Sequence, residues 1–450
     1  MSDRRPRHLR AALPLAALFA CAAGAARAEQ APALSNDRWS EDWSGSDQAG
    51  KDIALAPWLA LDIGADARWK VESIDNPRYG LTSADDDSWL QQRLLVHFNL
   101  RAGDSARIFL ELGAFDVIDK DAGGANDDNR IDLQQGFLDL TPRWGETALR
   151  LRLGRQELDL GDRFIDLGDS SNIRLHYDAA RLTLTHDAWT TDVFVAEQVA
   201  NAPGAFDDDR LDGQDLYGLR TQRAFDGGWL RGFFYHQARD NFALAGVTAN
   251  DARSSYGLGG QLRRGAWDGA FELVHQSGDH GALDIDAWGA YAELGRRFAD
   301  APLAPRIGTR LTYGSGDGDA GDGTIETYAP PIPRGSWFSE AGLVSHSNIV
   351  EAAALASLTL TDTLRLDAKL AGLWRADDND FVYVSSQTAL AGTTGGDAYI
   401  GFAPRLQLNW RAARHLTVRG ELSGVAVGDR FADLGAEDAL YANASIAWRY

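Results

Sequence analysis

Arg150 and Arg152 alternate with leucines in the stretch TALRLRLGRQELDLG, residues 147–161. A guanidinium is permanently charged, and its planar fork binds carboxylates through two parallel hydrogen bonds. Arg150 and Arg152 could therefore recognise an anion. A period of two is typical of a β-strand, whose successive side chains point to opposite faces. The function depends on whether the arginine face meets open water or lines a pore.

The N-terminus carries an export signal. Four arginines precede an apolar run over residues 13–23, and residues 26–28, Ala-Arg-Ala, have the small-residue pattern of a cleavage site. This run is too short to span a bilayer. We predict that residues 1–28 are a secretory signal peptide. A lipoprotein alternative would use Cys21, but the bulky Phe19 and the position of Cys21 inside the apolar run disfavour it.

Composition narrows the class further. Cys21 is the only cysteine, so the mature chain has neither a disulfide nor a thiol nucleophile. The formal net charge is −21, and loss of the five arginines and one aspartate of residues 1–28 makes it −25. This excess argues against nucleic acid as a partner. No later segment resembles a transmembrane helix, which leaves a soluble periplasmic protein or a β-barrel.

The rest of the chain alternates between strands and turns. Residues 29–52 are polar and patternless, and we predict that they form a periplasmic tail before a barrel over residues 53–450. The barrel is predicted to contain eighteen strands, at 55–71, 89–101, 105–117, 131–141, 147–157, 176–186, 189–198, 213–223, 229–239, 254–264, 266–276, 283–297, 306–315, 348–360, 363–375, 397–410, 415–427 and 439–450.

The connections alternate between short and long. The long ones are predicted at 72–88, 118–130, 158–175, 199–212, 240–253, 316–347, 376–396 and 428–438, and 277–282 breaks the pattern. Short periplasmic turns on one rim and long extracellular loops on the other are typical of an outer-membrane barrel. The sequence thus predicts an all-β fold, a transmembrane antiparallel β-barrel in the outer membrane of a Gram-negative cell. Its surroundings would be membrane lipid and lipopolysaccharide.

Aromatic residues support the same fold. Five tryptophans lie in or beside short turns, as expected for a girdle at the membrane interface: Trp144, Trp189, Trp229, Trp267 and Trp410. The last ten residues, YANASIAWRY, alternate apolar and polar side chains and end on an aromatic residue. This ending resembles the signal read by the barrel assembly machinery. Together these features disfavour a soluble periplasmic binding protein.

Arginines within such strands must face the lumen, because an arginine at the bilayer midplane costs ~2–4 kcal/mol in a barrel. The alternation of each strand places Arg93 and Arg220 there together with Arg150 and Arg152. Acidic residues concentrate instead in the long loops.

Two segments resemble a known family. The stretch GRQELDLGDRFIDLGDSSNIRLHYDAARL, residues 154–182, is similar to the strand–loop–strand of the alginate export family of outer-membrane porins. The stretch SGDGDAGDGTIETYAPPIPRGSWF, residues 315–338, resembles that family's Ser-Gly-Asp loop and the Pro-containing excursion that follows. The resemblance covers most of the mature chain. It implies an eighteen-stranded barrel that passes an anionic polyuronate through an arginine-rich constriction.

By this resemblance, the constriction would be formed by Arg150, Arg152, Arg155, Arg163, Arg174 and Arg181, to which the luminal alternation adds Arg93 and Arg220. Arg155 is out of phase with Arg152 unless Gly154 marks a β-bulge. The alternative is that luminal arginine–aspartate ladders only brace the wall.

The predicted function is passive passage of an anionic polysaccharide or a small anionic solute. A general or organic-acid uptake porin is the main alternative, because the direction of transport cannot be deduced from a passive pore. Export would also require periplasmic export partners. The long connection 316–347 could gate the channel.

We predict no enzymatic activity. Residues 345–348, Ser-His-Ser-Asn, contain the residue types of a hydrolase active site, but neighbours in sequence do not make a catalytic geometry.

We predict no cofactor. The segment that begins at Asp317 departs from the EF-hand pattern. The acidic loops have two interpretations. They could share a divalent cation with lipopolysaccharide phosphates, or they could form a solvated surface that binds no ion.

Overall fold

The computed structural model describes residues 34–121, 123–161, 168–332 and 335–450. Its main sheet has 21 strands, three of them short accessory strands at Ile53–Ala56, Arg143–Trp144 and Thr324–Ile325. The other eighteen are β1 (Leu59–Asp75), β2 (Asp87–Ala102), β3 (Ala106–Ile118), β4 (Asn129–Leu140), β5 (Thr147–Gln156), β6 (Tyr177–His186), β7 (Trp189–Ala200), β8 (Asp209–Phe225), β9 (Gly228–Leu244), β10 (Val247–Arg264), β11 (Trp267–His280), β12 (Leu283–Arg297), β13 (Arg306–Gly314), β14 (Ile349–Thr361), β15 (Leu364–Trp374), β16 (Tyr399–Ala413), β17 (Leu416–Val427) and β18 (Ala439–Arg449).

These strands close into a barrel. Each pairs antiparallel with the next, and β18 returns to pair with β1, with Asp66 opposite Arg449 and Trp69 opposite Ile446. The Arg449 guanidinium donates a 2.7 Å hydrogen bond to the Asp66 carboxylate at this seam. Closure pairs both backbone edges, which is the condition for spanning a bilayer with strands. The predicted closed barrel of eighteen antiparallel strands is confirmed.

The two faces of the barrel differ as the period of two requires. On β1 the outward Trp69 and Val71 are 48% and 56% exposed, whereas the alternating Arg68 and Lys70 are buried in the lumen. Apolar side chains therefore meet lipid, and charged side chains meet one another inside.

The tryptophan girdle is also present at the short-turn end. Trp144, Trp189, Trp267 and Trp410 are each at least 42% exposed there. The prediction is wrong for Trp229, which shares the luminal face of β9 with the buried Arg231, whose guanidinium carbon lies 4.5 Å from its ring centroid. Amphipathic indoles at this level fit the boundary between lipid and water.

The predicted long connection at 240–253 is wrong. β9 continues to Leu244, β10 begins at Val247, and only Ala245 and Gly246 separate them. Both turn residues have positive φ, 48° and 77°, which is the geometry of a two-residue hairpin that follows the strand twist. β9, β10 and β11 thus extend as paired strands beyond their predicted outer ends, whereas β12 has its predicted bounds.

Three segments fold into the lumen or across its mouth. They are residues 34–52 before the barrel, residues 157–161 and 168–176 between β5 and β6, and residues 315–332 and 335–348 between β13 and β14. Buried apolar side chains of the last, Tyr328 and Ile332, pack against wall residues of β9 and β12. The single α-helix of the described residues, α1 (Asp429–Asp433), follows β17. No helix among the described residues is long and apolar enough to cross a membrane.

Candidate functional site

Arg152 lies in a row of charged side chains on the inner wall. Its Nε and Nη2 atoms each donate a 2.7 Å hydrogen bond to the carboxylate of Asp139 on β4. On its other side, Arg181 of β6 stands opposite Arg152 in the strand register. Arg181 donates at 3.0 Å to Asp192 of β7, and Arg220 of β8 donates to the same carboxylate at 3.0 Å. Strand register therefore brings four predicted site residues onto one wall, because Arg150 shares β5 with Arg152.

This wall carries more arginine than aspartate. Arg107 of β3 lies 4.0 Å from Asp139, so each aspartate contacts two guanidiniums. Arg150 has no carboxylate partner among the described residues and makes a 3.4 Å hydrogen bond to Thr183 Oγ1. We call Arg107, Arg150, Arg152, Arg181 and Arg220 the arginine wall. Within the wall itself, five arginines face only two aspartates, a surplus of three, and the N-terminal segment adds the nearby Asp37 carboxylate.

The N-terminal segment covers part of the arginine wall. The Trp39 ring centroid lies 3.7 Å from the Arg152 guanidinium carbon and 4.8 Å from that of Arg150. Nearby, Arg38 is buried and donates a 2.7 Å hydrogen bond to the backbone carbonyl of the last residue, Tyr450. Lys51 donates at 2.8 Å to the carbonyl of Ile63. The described part of the predicted tail, residues 34–52, is thus held inside the short-turn end of the barrel.

A space of about 480 Å³ remains at this end. Its lining includes Arg150 and Arg107 from the arginine wall and Glu41 and Asp42 from the N-terminal segment. The free side of Arg150 therefore faces solvent-accessible volume, whereas Arg152 is buried beneath Trp39.

A second group of cations holds the in-folded segment, residues 157–161 and 168–176. Arg93 of β2 donates a 2.7 Å hydrogen bond to the Asp169 carboxylate, and Arg68 of β1 donates at 2.5 Å to the Asp169 carbonyl. Arg174, from the segment itself, lies 3.9 Å from the same carboxylate. Burial opposes ionisation here, but the three guanidiniums outweigh it and hold the pKa of Asp169 well below its usual range.

Arg174 also joins two buried glutamates. Its Nε donates at 2.8 Å to Glu157, and its Nη2 lies 3.6 Å from Glu111 of β3. Burial raises the pKa of Glu157 to about 7, and the Glu111 carboxylate adds to this shift. Arg93 and Arg174 are therefore structural partners of the in-folded segment as well as luminal cations.

A larger cavity of about 530 Å³ lies between this segment and the opposite wall. Its cationic lining residues are Arg68, Lys70, Arg93, Arg419 and Arg449, and its acidic ones are Asp159, Asp169, Glu340 and Glu421. Arg419 of β17 is exposed and forms no hydrogen bond or ion pair with the described residues. The alternation of apolar and polar residues along β17 indicates that Arg419 is luminal, but nothing in the sequence distinguishes it from other luminal arginines.

The connection between β13 and β14 closes one side of this cavity. Lys369 donates at 2.9 Å to the Phe338 carbonyl, and Arg405 donates at 3.0 Å to the Ser336 carbonyl. Glu340 forms a 2.7 Å ion pair with Lys70 of β1. The predicted long connection is therefore an inward fold held by cations of three wall strands.

Two predicted site residues stand apart. The pairing of β5 with β6 runs without a bulge through Gly154, so Arg155 lies on the opposite face from Arg152. Arg155 instead makes 2.9 and 3.1 Å hydrogen bonds to Asp178. Arg163 lies outside the described residues.

Comparisons with known proteins agree with this architecture. The sequence profile of the alginate export family matches residues 59–445. Among solved structures, Pseudomonas aeruginosa OpdQ superposes with a TM-score of 0.58 at 11% identity, over 87% of this chain and 98% of that one. Acinetobacter baumannii OccAB1 gives 0.57 at 12% identity, over 87% and 96%. The outer membrane protein opdK of P. aeruginosa gives 0.57 at 10%, over 86% and 99%. A comparison with curated proteins finds no match.

Proposed function

This chain belongs to the alginate export family and forms a channel in the outer membrane, and we propose that the channel passively conducts anionic solutes past the arginine wall. The observation that carries this proposal is the surplus of three positive charges among the wall arginines. A lumen with low-dielectric walls concentrates the field of such charges and enriches anions. Guanidiniums also offer successive weak sites that a carboxylate can enter and leave.

Within the wall, Arg150 is the proposed contact residue. Arg152 donates hydrogen bonds to Asp139, and Arg181 and Arg220 donate hydrogen bonds to Asp192. They act as the scaffold and contribute charge at longer range. Arg150 lacks such a partner among the described residues and lines the space at the short-turn end. In this proposal Arg152, Arg181 and Arg220 stabilise the barrel wall, and Arg150 selects for anions.

Two carboxylate-bearing cargoes fit this chemistry, a polyuronate and a small organic acid. The described arrangement favours the small organic acid, because the cavities beside the in-folded segment and beside Arg150, of about 530 and 480 Å³, match the size of small-molecule sites. A polymer would need the N-terminal segment or the in-folded segment to move. An organic-acid uptake porin is therefore the second candidate function.

The experiment is a reversal-potential measurement in a planar bilayer under a salt gradient. Wild-type protein is expected to prefer anions, and Arg150→Gln is expected to lower that preference. Arg155→Gln is the matched control, because it removes the same charge from the same strand on the outward face. Equal selectivity in wild type and Arg150→Gln would contradict the proposal.

Added solutes then separate the two cargoes. Block by a polyuronate at concentrations where the monomeric uronate has no effect would support polymer passage. Block by the monomer alone would support the uptake porin.

The partners belong to the same proposal. The outward face of β18 exposes Leu440 and Ile446 by 48% and 49% and continues to Tyr450, which supports recognition by the barrel assembly machinery. The exposed barrel belt contacts membrane lipid, and the acidic long loops would meet lipopolysaccharide. Periplasmic export partners would be needed only for polymer export.

A further inference from the structure

Three carboxylates converge near the outer end of β4. Asp132 belongs to β4, while Asp207 and Asp208 come from the connection before β8, and one oxygen of each lies within 4.8 Å of the others. The Asp132 carboxylate accepts the backbone N–H groups of Asp207 and Asp208 at 2.9 and 3.2 Å, which fixes the approach of the connection. Acidic groups of this kind are common on an acidic surface, so the cluster alone says nothing about a ligand.

A buried histidine beside the cluster supplies the independent observation. His176, the last residue of the in-folded segment, is 2% exposed. Its Nδ1 lies 3.0 Å from the backbone carbonyl oxygen of Arg174. A carbonyl oxygen can only accept, so Nδ1 carries the proton and the neutral ring presents a lone pair at Nε2. That Nε2 has no hydrogen-bond partner in the described part of the chain, and it lies 3.9 Å from Asp208 Oδ2.

The surroundings leave the cluster negatively charged. The nearest guanidinium, that of Arg155, is 4.0 Å from Asp132, but its Nε and Nη2 atoms are committed to Asp178. Asn129 donates a 2.9 Å hydrogen bond to Asp208 Oδ1 and so orients that carboxylate. An oriented carboxylate beside an unpartnered imidazole lone pair is the arrangement found at metal ligands.

We propose that Asp132, Asp207, Asp208 and His176 bind one divalent transition-metal cation of the zinc class. Imidazole nitrogen together with carboxylate oxygen is a donor set that zinc accepts, whereas calcium and magnesium take oxygen alone. Ligand atoms of one tetrahedral zinc lie roughly 3.3 Å apart, given bonds of about 2.0 Å. The 3.9 Å separation of His176 Nε2 and Asp208 Oδ2 needs only a small adjustment to reach this value.

Such a metal ion joins three separate parts of the chain. Asp132 is on a wall strand, Asp207 and Asp208 are on an outer connection, and His176 ends the segment that fills the lumen. The cation therefore fastens the outer end of the in-folded segment to the barrel wall. It is a structural site, distinct from the arginine wall.

The test is direct binding to the full chain, purified in detergent without a polyhistidine tag. Protein is treated with EDTA, freed of chelator and titrated with ZnCl₂ by calorimetry, with CaCl₂ in parallel. We expect one zinc ion per chain, and an affinity at least tenfold lower in Asp208→Asn and in His176→Gln. Asp209→Asn is the matched control, because it removes an adjacent acid that lies outside the cluster. Binding of Co²⁺ should give the absorption bands of a tetrahedral site in the wild type, and these should be lost in His176→Gln.

Three results would overturn the proposal. They are the absence of saturable zinc binding, zinc binding unchanged in both cluster variants, and calcium binding that His176→Gln leaves intact. Resistance of each variant barrel to SDS at room temperature verifies folding. If one variant fails to fold, the other still decides the question.

Discussion

The guanidinium of Arg152 lies between an aromatic ring of the N-terminal segment and a carboxylate of the wall, 3.7 Å from the Trp39 ring centroid and hydrogen-bonded to Asp139 at 2.7 Å. A desolvated cation over an indole is worth ~2 kcal/mol. One wall arginine thus fixes the strand register on one side and the N-terminal segment on the other.

Trp39→Ala is expected to loosen the N-terminal segment by ~1–2 kcal/mol through loss of this cation–π contact. The segment then occupies the short-turn end less of the time. Single-channel conductance should rise, and small anions should reach Arg150 more readily. Planar-bilayer recording measures both effects.

Trp58→Ala is the control for this prediction. The side chain of Trp58 is 64% exposed and lies at the short-turn end of the barrel, like the tryptophans of the girdle. If both variants conduct like wild type, the N-terminal segment does not restrict the channel.

Arg152→Gln and Arg150→Gln should differ in stability. Loss of the Arg152 guanidinium leaves the buried Asp139 carboxylate without its bidentate partner, which costs ~3–5 kcal/mol of unfolding free energy. Arg150→Gln removes one long hydrogen bond and should cost about 1 kcal/mol or less. Denaturant unfolding of the barrel in lipid vesicles measures the difference.

A double variant checks the cause. Arg152→Gln with Asp139→Asn removes both charges, so most of the lost stability should return. An equally unstable double variant would show that Arg152 acts through packing against Trp39 and Phe137 rather than through its charge.

The strands were predictable because lipid imposes a strong pattern. Within the membrane an apolar outer face must alternate with a polar inner face, and all eighteen predicted strands overlap observed ones. The prediction failed at 240–253 because β9 and β10 leave the bilayer there. The exposed polar residues Asn241 and Thr248 belong to paired strands there, so the apolar outer face disappears while the strands continue.

The contents of the lumen were not predictable in the same way. A segment that lies inside a barrel faces polar walls, so it needs no periodic pattern. Residues 34–52 are held by single anchors such as Arg38 and Trp39, which leave no repeat in the sequence. Whether a luminal arginine forms an ion pair also depends on the register of the neighbouring strands. Arg150 and Arg152 are equivalent in the sequence, but only Arg152 stands opposite Asp139.

The connection between β13 and β14 should respond to pH through Asp317. This carboxyl lies in the connection after β13, where burial and the neighbouring Asp380 carboxylate raise its pKa to about 6. Asp322 and Glu326 raise it further. The folded loop therefore favours the protonated acid. The protonated acid therefore stabilises the folded connection at low pH. This stabilisation is lost as the pH rises from about 4, the ordinary pKa of an aspartic acid, through about 6, the pKa in the folded chain.

Limited proteolysis at pH 5 and pH 7.5 measures this effect, with rates corrected on an unstructured peptide. Cleavage within the loop should be faster at pH 7.5. Asp317→Asn mimics the protonated acid and should remove most of the difference. Asp322→Asn, at an exposed position of the same connection, removes only one of the smaller contributions and should retain most of it. An unaltered pH response in Asp317→Asn would assign it to another group.

Arg419→Gln should alter selectivity without altering stability. The Arg419 side chain faces the 530 Å³ cavity and makes no ion pair with the described residues. Its removal should change the unfolding free energy by about 0.5 kcal/mol or less. In a confined cavity its charge is screened less than at an open rim, so the reversal potential should move toward cation preference. Arg414→Gln removes the same charge from the exposed turn at the foot of β17 and should have the smaller effect. Equal shifts in the two variants would mean that ions do not pass close to Arg419, and the conducting path would then follow the arginine wall alone.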